Sequence, residues 1–237
     1  MNLIILQDSD FVDGTFDIAR LEGDTKNRAL SLCGGKEGST LYVGRLNGRM
    51  GTGVVTRRSE IFLELKASLT IEPPKPLPLT LVLALPRPRN FLKCLETAVI
   101  LGIKKIYIVQ SYLVEKDYWG SHYLSSEMIK IHVKTGLEQA RDTMEPEINL
   151  KKRFKPFVED ELPDIARGTH GIVAHPYCSN PCPSLQSNPV TLAIGPDGGF
   201  IPYEVGLFKS IGFSEVSLGP RILRVEQAIT ALTSKLY

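Results

Sequence analysis

The 237 residues carry 28 Lys and Arg against 26 Asp and Glu, a formal net charge of +2, with 43% hydrophobic and 23% charged residues. Such a chain is an ordinary globular protein of one or two domains, not a disordered or fibrous one, and its bulk charge gives no argument for nucleic acid. No apolar run reaches the ~20 residues needed to span a bilayer, and Met1–Asp8 lacks the basic start of a signal peptide, so a cytoplasmic location without a membrane partner is expected.

Met1–Asp8 reads as an edge or first strand. Residues 1–24 then hold Asp8, Asp10, Asp13, Asp17, Glu22 and Asp24 against Arg20, whereas residues 26–58 hold Lys26, Arg28, Lys36, Arg45, Arg49, Arg57 and Arg58 against Glu37. The basic stretch is either a phosphate-tracking surface or a solvated face. Strands are predicted at 41–46, 53–57 and 61–65, with Asn47-Gly48 as a hairpin turn. Closely spaced strands with few helical stretches predict a small barrel. Pro73, Pro74, Pro76 and Pro78 cannot sit inside a helix or a central strand, so residues 73–78 are read as a stiff linker between domains 1–72 and 79–237.

Beyond the linker the pattern changes. The apolar run 79–85 predicts a strand buried on both faces, and Asn90 is placed to cap a helix to about Leu101, stopped at Gly102. A strand at 105–110, a long helix over 121–143 and a helix near 156–167 follow. Strands at 171–174, 190–194 and 215–218 alternate with helices over 202–211 and 224–236. Alternating β and α elements predict a parallel α/β sheet with helices on both faces.

The four cysteines, Cys33, Cys94, Cys178 and Cys182, are scattered and form no disulfide framework. His175-x-x-Cys178-x-x-x-Cys182 invites a zinc reading, but no fourth ligand stands nearby and prolines mark a loop, so free thiols and no metal are expected.

Three strand ends carry the candidate chemistry: Val173-Ala174-His175-Pro176, Ile194-Gly195-Pro196-Asp197-Gly198-Gly199-Phe200 and Leu218-Gly219-Pro220-Arg221-Ile222-Leu223-Arg224-Val225-Glu226. Strand-to-helix loops are where open α/β sheets bind ligands. Glycines there admit a ligand close to the backbone, or simply make a tight turn. Arg221 and Arg224 suit phosphate or carboxylate recognition, or an ion pair with Glu226. His175 is a candidate general base or a hydrogen-bonded structural residue. Neither glycine loop is a Rossmann or Walker fingerprint.

Taken together, these segments strongly resemble the RsmE-type 16S ribosomal RNA uridine-N3 methyltransferases of the SPOUT class. Lys93, Leu101-Gly102-Ile103 and the run Gly136–Pro146 extend the resemblance over nearly all of residues 79–237. It implies a parallel sheet with a C-terminal trefoil knot, preceded by a PUA-like β-barrel that binds RNA. It also implies a homodimer acting on 16S rRNA or the small ribosomal subunit, and S-adenosyl-L-methionine as cofactor. On this chain the cofactor residues are Ala174, His175, Pro176, Ile194, Gly195, Pro196, Gly198, Gly199, Leu218, Gly219, Ile222 and Leu223. Arg224 and Glu226 are the expected catalytic pair, and Arg28, Arg45, Arg49 and Arg221 the expected RNA contacts. Three positions depart from the family pattern. Gln227 stands in place of a threonine, residues 26–32 lack a histidine, and Pro86–Asn90 replace a Lys-Gly-Asp element. A non-catalytic RNA-binding protein with the same fold is the alternative, and a phosphate-ester enzyme using the glycine loop as an anion cradle is a third reading.

Overall fold

The computed structural model describes residues 3–12 and 14–237. Met1 and Asn2 of the expected first strand, and Asp13 of the acidic stretch, lie outside the described residues. Two compact units emerge, Met1–Lys75 with Lys134–Glu145, and Pro76–Val133 with Pro146–Tyr237. Residues 134–145 fall within the 79–237 stretch of sequence yet group with the first unit, where the Glu138 carboxylate accepts the Ile5 N–H at 3.2 Å.

The first unit is a five-stranded sheet of β1 (Ile4–Leu6), β2 (Ile18–Glu22), β3 (Thr40–Arg45), β4 (Met50–Arg58) and β5 (Phe62–Ile71), in the order β1-β3-β4-β5-β2. All pairs are antiparallel except β1 with β3. Alternation sends Leu63, Leu65 and Ala67 of β5, with Ala19 and Leu21 of β2, into one core. Asn47-Gly48 closes the β3–β4 hairpin, with Asn47 at φ 56° and the Arg45 N–H bonded to the Arg49 carbonyl at 3.0 Å. A helix, α1 (Gly23–Cys33), interrupts what reads in sequence as β-rich chain. It buries only Lys26 and Ala29, too little apolar surface for a helical period to show in the sequence.

The second unit is a six-stranded parallel sheet. Its strands are β6 (Leu77–Ala84), β7 (Ile103–Val109), β8 (Glu147–Lys151), β9 (His170–Ala174), β10 (Val190–Ile194) and β11 (Ser214–Val216), in the order β11-β9-β10-β6-β7-β8. Every residue of β10 is buried, so both faces of the sheet are covered there. The helices are α2 (Pro88–Ile100), α3 (Ser126–Ala140), α4 (Phe154–Pro156) leading through a π turn (Phe157–Glu161) into α5 (Leu162–Ile165), α6 (Pro202–Ser210) and α7 (Val225–Leu236); from Lys134 on, α3 belongs to the first unit. Helices α2 and α7 pack on one another.

Three sequence expectations are corrected, and one strand is added. Pro78 lies inside central strand β6, tolerated because the β6–β7 register is broken between Leu77 and Thr80 and the β6–β10 ladder starts only at Leu79. Helix α2 starts at Pro88 with Arg87 as its N-cap, because proline favours the first helical position, so Asn90 sits inside the helix. The helix expected over 121–143 begins at Ser126, after two 3-10 turns (Lys116–Gly120 and His122–Leu124), and stops at Ala140 because Arg141 turns to φ 53°. Edge strand β8 was not expected at all.

Candidate functional site

Strands β11, β9 and β10 are neighbours, and their carboxyl ends open into three adjacent loops. These loops and the start of α7 enclose a cavity of about 270 Å³. Its walls are Ala174–Tyr177 after β9, Ile194–Phe200 after β10, and Val216–Gly219 with Arg221, Ile222 and Leu223 after β11; Val225, Ala228 and Leu232 of α7 close it.

Two glycines shape it for different reasons. A Cβ on Gly195 would stand 2.8 Å from the Gly199 carbonyl carbon and the Phe200 nitrogen, so the loop can fold back on itself only with a hydrogen at that position. The return is locked by the Gly199 N–H donating to the Pro196 carbonyl at 2.8 Å. Gly219 faces open space but holds φ 108°, which an L side chain rarely adopts. The Ser217 hydroxyl accepts the Gly219 N–H at 3.1 Å and reaches the Gly219 carbonyl at 3.3 Å. Ser217 also bridges to Pro181, its N–H donating to Asn180 and its carbonyl accepting from Cys182, so the loop after β9 is laced to the exit of β11.

Charge at the site is unevenly placed. Arg221 and Arg224 are exposed, and Arg224 caps α7, its N–H donating to Gln227 Oε1 at 3.3 Å. The departure at Gln227 therefore has a local structural role, the third-position glutamine reaching back to the helix cap. Glu226 has a buried Oε2 with no hydrogen-bond partner and forms no ion pair with Arg221 or Arg224 among the described residues. Burial, followed by the charges of Glu226 and Asp197, pushes the Cys94 thiol of α2 up to about 12, so Glu226 acts electrostatically on α2.

A family model described as an RNA methyltransferase domain matches residues 73–237. The chain belongs to this RNA methyltransferase family. Its type is that of the RsmE proteins. Over 238 aligned residues it is 26% identical to a Ribosomal RNA small subunit methyltransferase E from Treponema pallidum, covering 98% of this chain and 88% of the relative. The fold is shared with a Ribosomal RNA small subunit methyltransferase E from Neisseria gonorrhoeae bound to S-adenosyl methionine (TM-score 0.76, 19% identity, 99% and 95% of the two chains). A Legionella pneumophila protein in complex with bound SAM is similar to the same degree (TM-score 0.76, 22% identity, 99% and 97% coverage).

In this RNA methyltransferase the expected cofactor residues all line the one cavity, and Arg221 lines it too. Arg224 and Glu226 do not, although their neighbours Leu223 and Val225 do. Asp197, Phe200, Tyr177 and Ser217 line it without having been singled out as ligands. Val225, Ala228 and Leu232 follow helical spacing and were legible as one face of α7. Of the arginines expected to meet RNA, Arg28 pairs with Glu138, Arg45 with Asp8 at 2.7 Å and Arg49 with Glu72 at 2.6 Å. Arg45 also lies 3.8 Å over the Phe16 ring. Cys178 and Cys182 direct their thiols at the carbonyls of Asn180 and Pro183. Among the described residues no group of three His, Cys, Asp or Glu side chains could hold a metal ion, and no helix is long and apolar enough to cross a membrane.

Proposed function

We propose that this protein transfers a methyl group from S-adenosyl-L-methionine to N3 of a uridine in small-subunit 16S ribosomal RNA, in the cytoplasm and as a homodimer. The observation that carries the reading is the convergence of the three family motifs on one cavity at the carboxyl edge of a parallel sheet. The finer features belong to the same proposal: a trefoil knot built from the loops after β9, β10 and β11 at residues 173–176, 195–200 and 218–224, and a PUA-like barrel over residues 1–72 that binds RNA, preceding a methyltransferase domain over 79–237.

The cavity suits the cofactor. Its walls are largely apolar side chains and backbone, and a side chain at Gly195 would collide with the Gly199–Phe200 backbone that forms one of those walls. Ala174, His175, Pro176, Leu218, Ile222 and Leu223 would hold the ligand, with Gly195, Gly198, Gly199 and Gly219 giving it access to the backbone. When bound, S-adenosylmethionine supplies an electrophilic methyl group on a sulfonium. The chain's task is to seat an unstacked uridine in line with it and to accommodate loss of the weakly acidic N3 proton. Arg224, exposed at the start of α7, is the group we assign to the negative charge that develops on the uracil oxygens. Glu226, half-buried beside it, is assigned to shaping that field or taking up the proton.

Calorimetric titration with S-adenosylmethionine, followed by nucleoside analysis of incubated 16S rRNA and small subunits, tests the proposal. N3-methyluridine that appears only with active protein supports it. Cofactor and RNA binding without a methylated nucleoside would establish the non-catalytic RNA-binding reading in its place.

A further inference from the structure

The carboxyl edge of the parallel sheet continues past the cavity into the loops after β6 and β7, which lie beyond β10 in the sheet order. Arg87, in the first of these, has a side chain 73% exposed; its Nε stands 3.8 Å from Asp197 Oδ2, on the glycine loop that walls the cavity. Two residues on, Arg89 donates its Nε to the Tyr123 hydroxyl at 3.2 Å. The second loop carries Tyr112, 76% exposed. Its backbone is held firmly, because its N–H donates to the buried Glu204 carboxylate at 2.7 Å. Next to it Leu113 abuts the glycine loop, for a Cβ on Gly198 would stand 2.8 Å from Leu113 Cδ1.

These features combine in one way. Tyr112 is an aromatic ring ordered from behind yet left in solvent. Arg89 bonds a neutral phenol, and Arg87 makes only a long ion pair, so both guanidiniums keep donors free for an anion. That contrasts with Arg28, Arg45 and Arg49, each committed to a carboxylate. Exposed arginines interleaved with an aromatic ring beside a reaction site fit a single-stranded nucleic acid, phosphates on the cations and a base on the ring.

We propose that Arg87, Arg89 and Tyr112 form the contact surface for the single-stranded RNA flanking the target nucleotide, the arginines on phosphates and the Tyr112 ring stacked on a neighbouring base. This rests on the RNA methyltransferase reading above and places RNA recognition on residues that the sequence alone did not nominate.

The test is binding of a labelled small-subunit rRNA transcript across a salt titration. In the Arg87→Gln/Arg89→Gln double variant the slope of log affinity against log salt is expected to fall by about 1.4, ~0.7 for each single-strand phosphate that is no longer neutralised. Arg87→Lys/Arg89→Lys should retain it. Tyr112→Ala should weaken binding about tenfold, the scale of one base stacked on an aromatic ring, with S-adenosylmethionine affinity held. Photo-crosslinking of 4-thiouridine-containing transcript to the unaltered protein should label residues 110–124. An unchanged slope in the double glutamine variant, or crosslinks confined to other segments of a wild type that binds, overturns the inference alone. A wild type that binds no RNA overturns the methyltransferase reading and this inference with it.

Discussion

The guanidinium of Arg28, on α1, hydrogen-bonds to Oε2 of Glu138, a side chain 110 residues away in sequence and only 1% exposed. The other carboxylate oxygen of Glu138 accepts the Ile5 N–H at 3.2 Å, and Lys134 stands 4.0 Å away. A residue that reads in sequence as part of a basic surface is thus the counter-ion of a buried acid.

Arg28→Ala should therefore cost stability before it costs RNA affinity. Breaking a fully buried pair costs ~3–5 kcal/mol; Arg28 is partly exposed and Lys134 remains, so about 2 kcal/mol is expected. Denaturant unfolding checks this, with an unchanged midpoint as the contrary result.

Gly195→Ala places a methyl group where only 2.8 Å separates it from the Gly199 and Phe200 backbone. The loop must open to admit it. Affinity for S-adenosylmethionine should drop about tenfold or more, because a loop that is held in one tight conformation loses its shape rather than relaxing around the methyl. Calorimetry against the wild type reads this, and equal affinities would remove the glycine loop from the binding site.

Arg224→Ala should leave cofactor affinity within error and lower turnover about a hundredfold, the usual scale for removing one charge-stabilising donor. Because only the backbone N–H of Arg224 bonds Gln227, α7 keeps its cap in the variant. Turnover at the wild-type rate would take Arg224 out of the chemistry.

Thiol chemistry offers an independent check on the packing of α2 against α7. With its thiol at about 12, Cys94 carries almost no thiolate near neutral pH, and burial also raises Cys182. Half-buried Cys33 and Cys178 should react quickly with a disulfide reagent in the native protein, and Cys94 and Cys182 only on unfolding. Rapid alkylation of Cys94 in folded protein, mapped by mass spectrometry, would contradict the buried assignment.

Glu204 sets a pH dependence. Burial raises its pKa above 4.5, outweighing the N–H groups of Tyr112 and Ile201 that favour the carboxylate. The folded state thus holds its proton more tightly than the unfolded chain. The stability this contributes is complete below about 4.5 and is lost as pH rises through the folded-state value. The stability of wild type relative to Glu204→Gln should decline over that window and then level off; a flat difference would show that Glu204 titrates as it does in the unfolded chain.

The motifs at residues 174–176, 194–200 and 218–224 were legible because they depend on local chemistry. Glycine and proline fix what the backbone can do, and apolar runs such as Val190–Ile194 announce strands buried on both faces. Helix α1 was not, since its face is nearly polar, although Gly34 at φ 70°, its N–H bonded to the Leu30 carbonyl, marks the stop. Strand β8 was missed for a similar reason: five residues on a sheet edge, half-exposed, carry little hydrophobic signal.

The amino-acid sequence by itself determined the alternating α/β plan, the hairpin at Asn47-Gly48, the family, and the three motifs whose loops wall the cavity. Only the tertiary structure decided which charges are spent. Arg28, Arg45 and Arg49 bond carboxylates closely, whereas Arg87 makes only a 3.8 Å ion pair with Asp197 of the glycine loop and Arg89 bonds the neutral Tyr123 hydroxyl. The physical reason is range. Backbone conformation is set by a residue and its immediate neighbours, but whether a guanidinium meets a carboxylate or water depends on which distant segments the fold brings within a few ångströms.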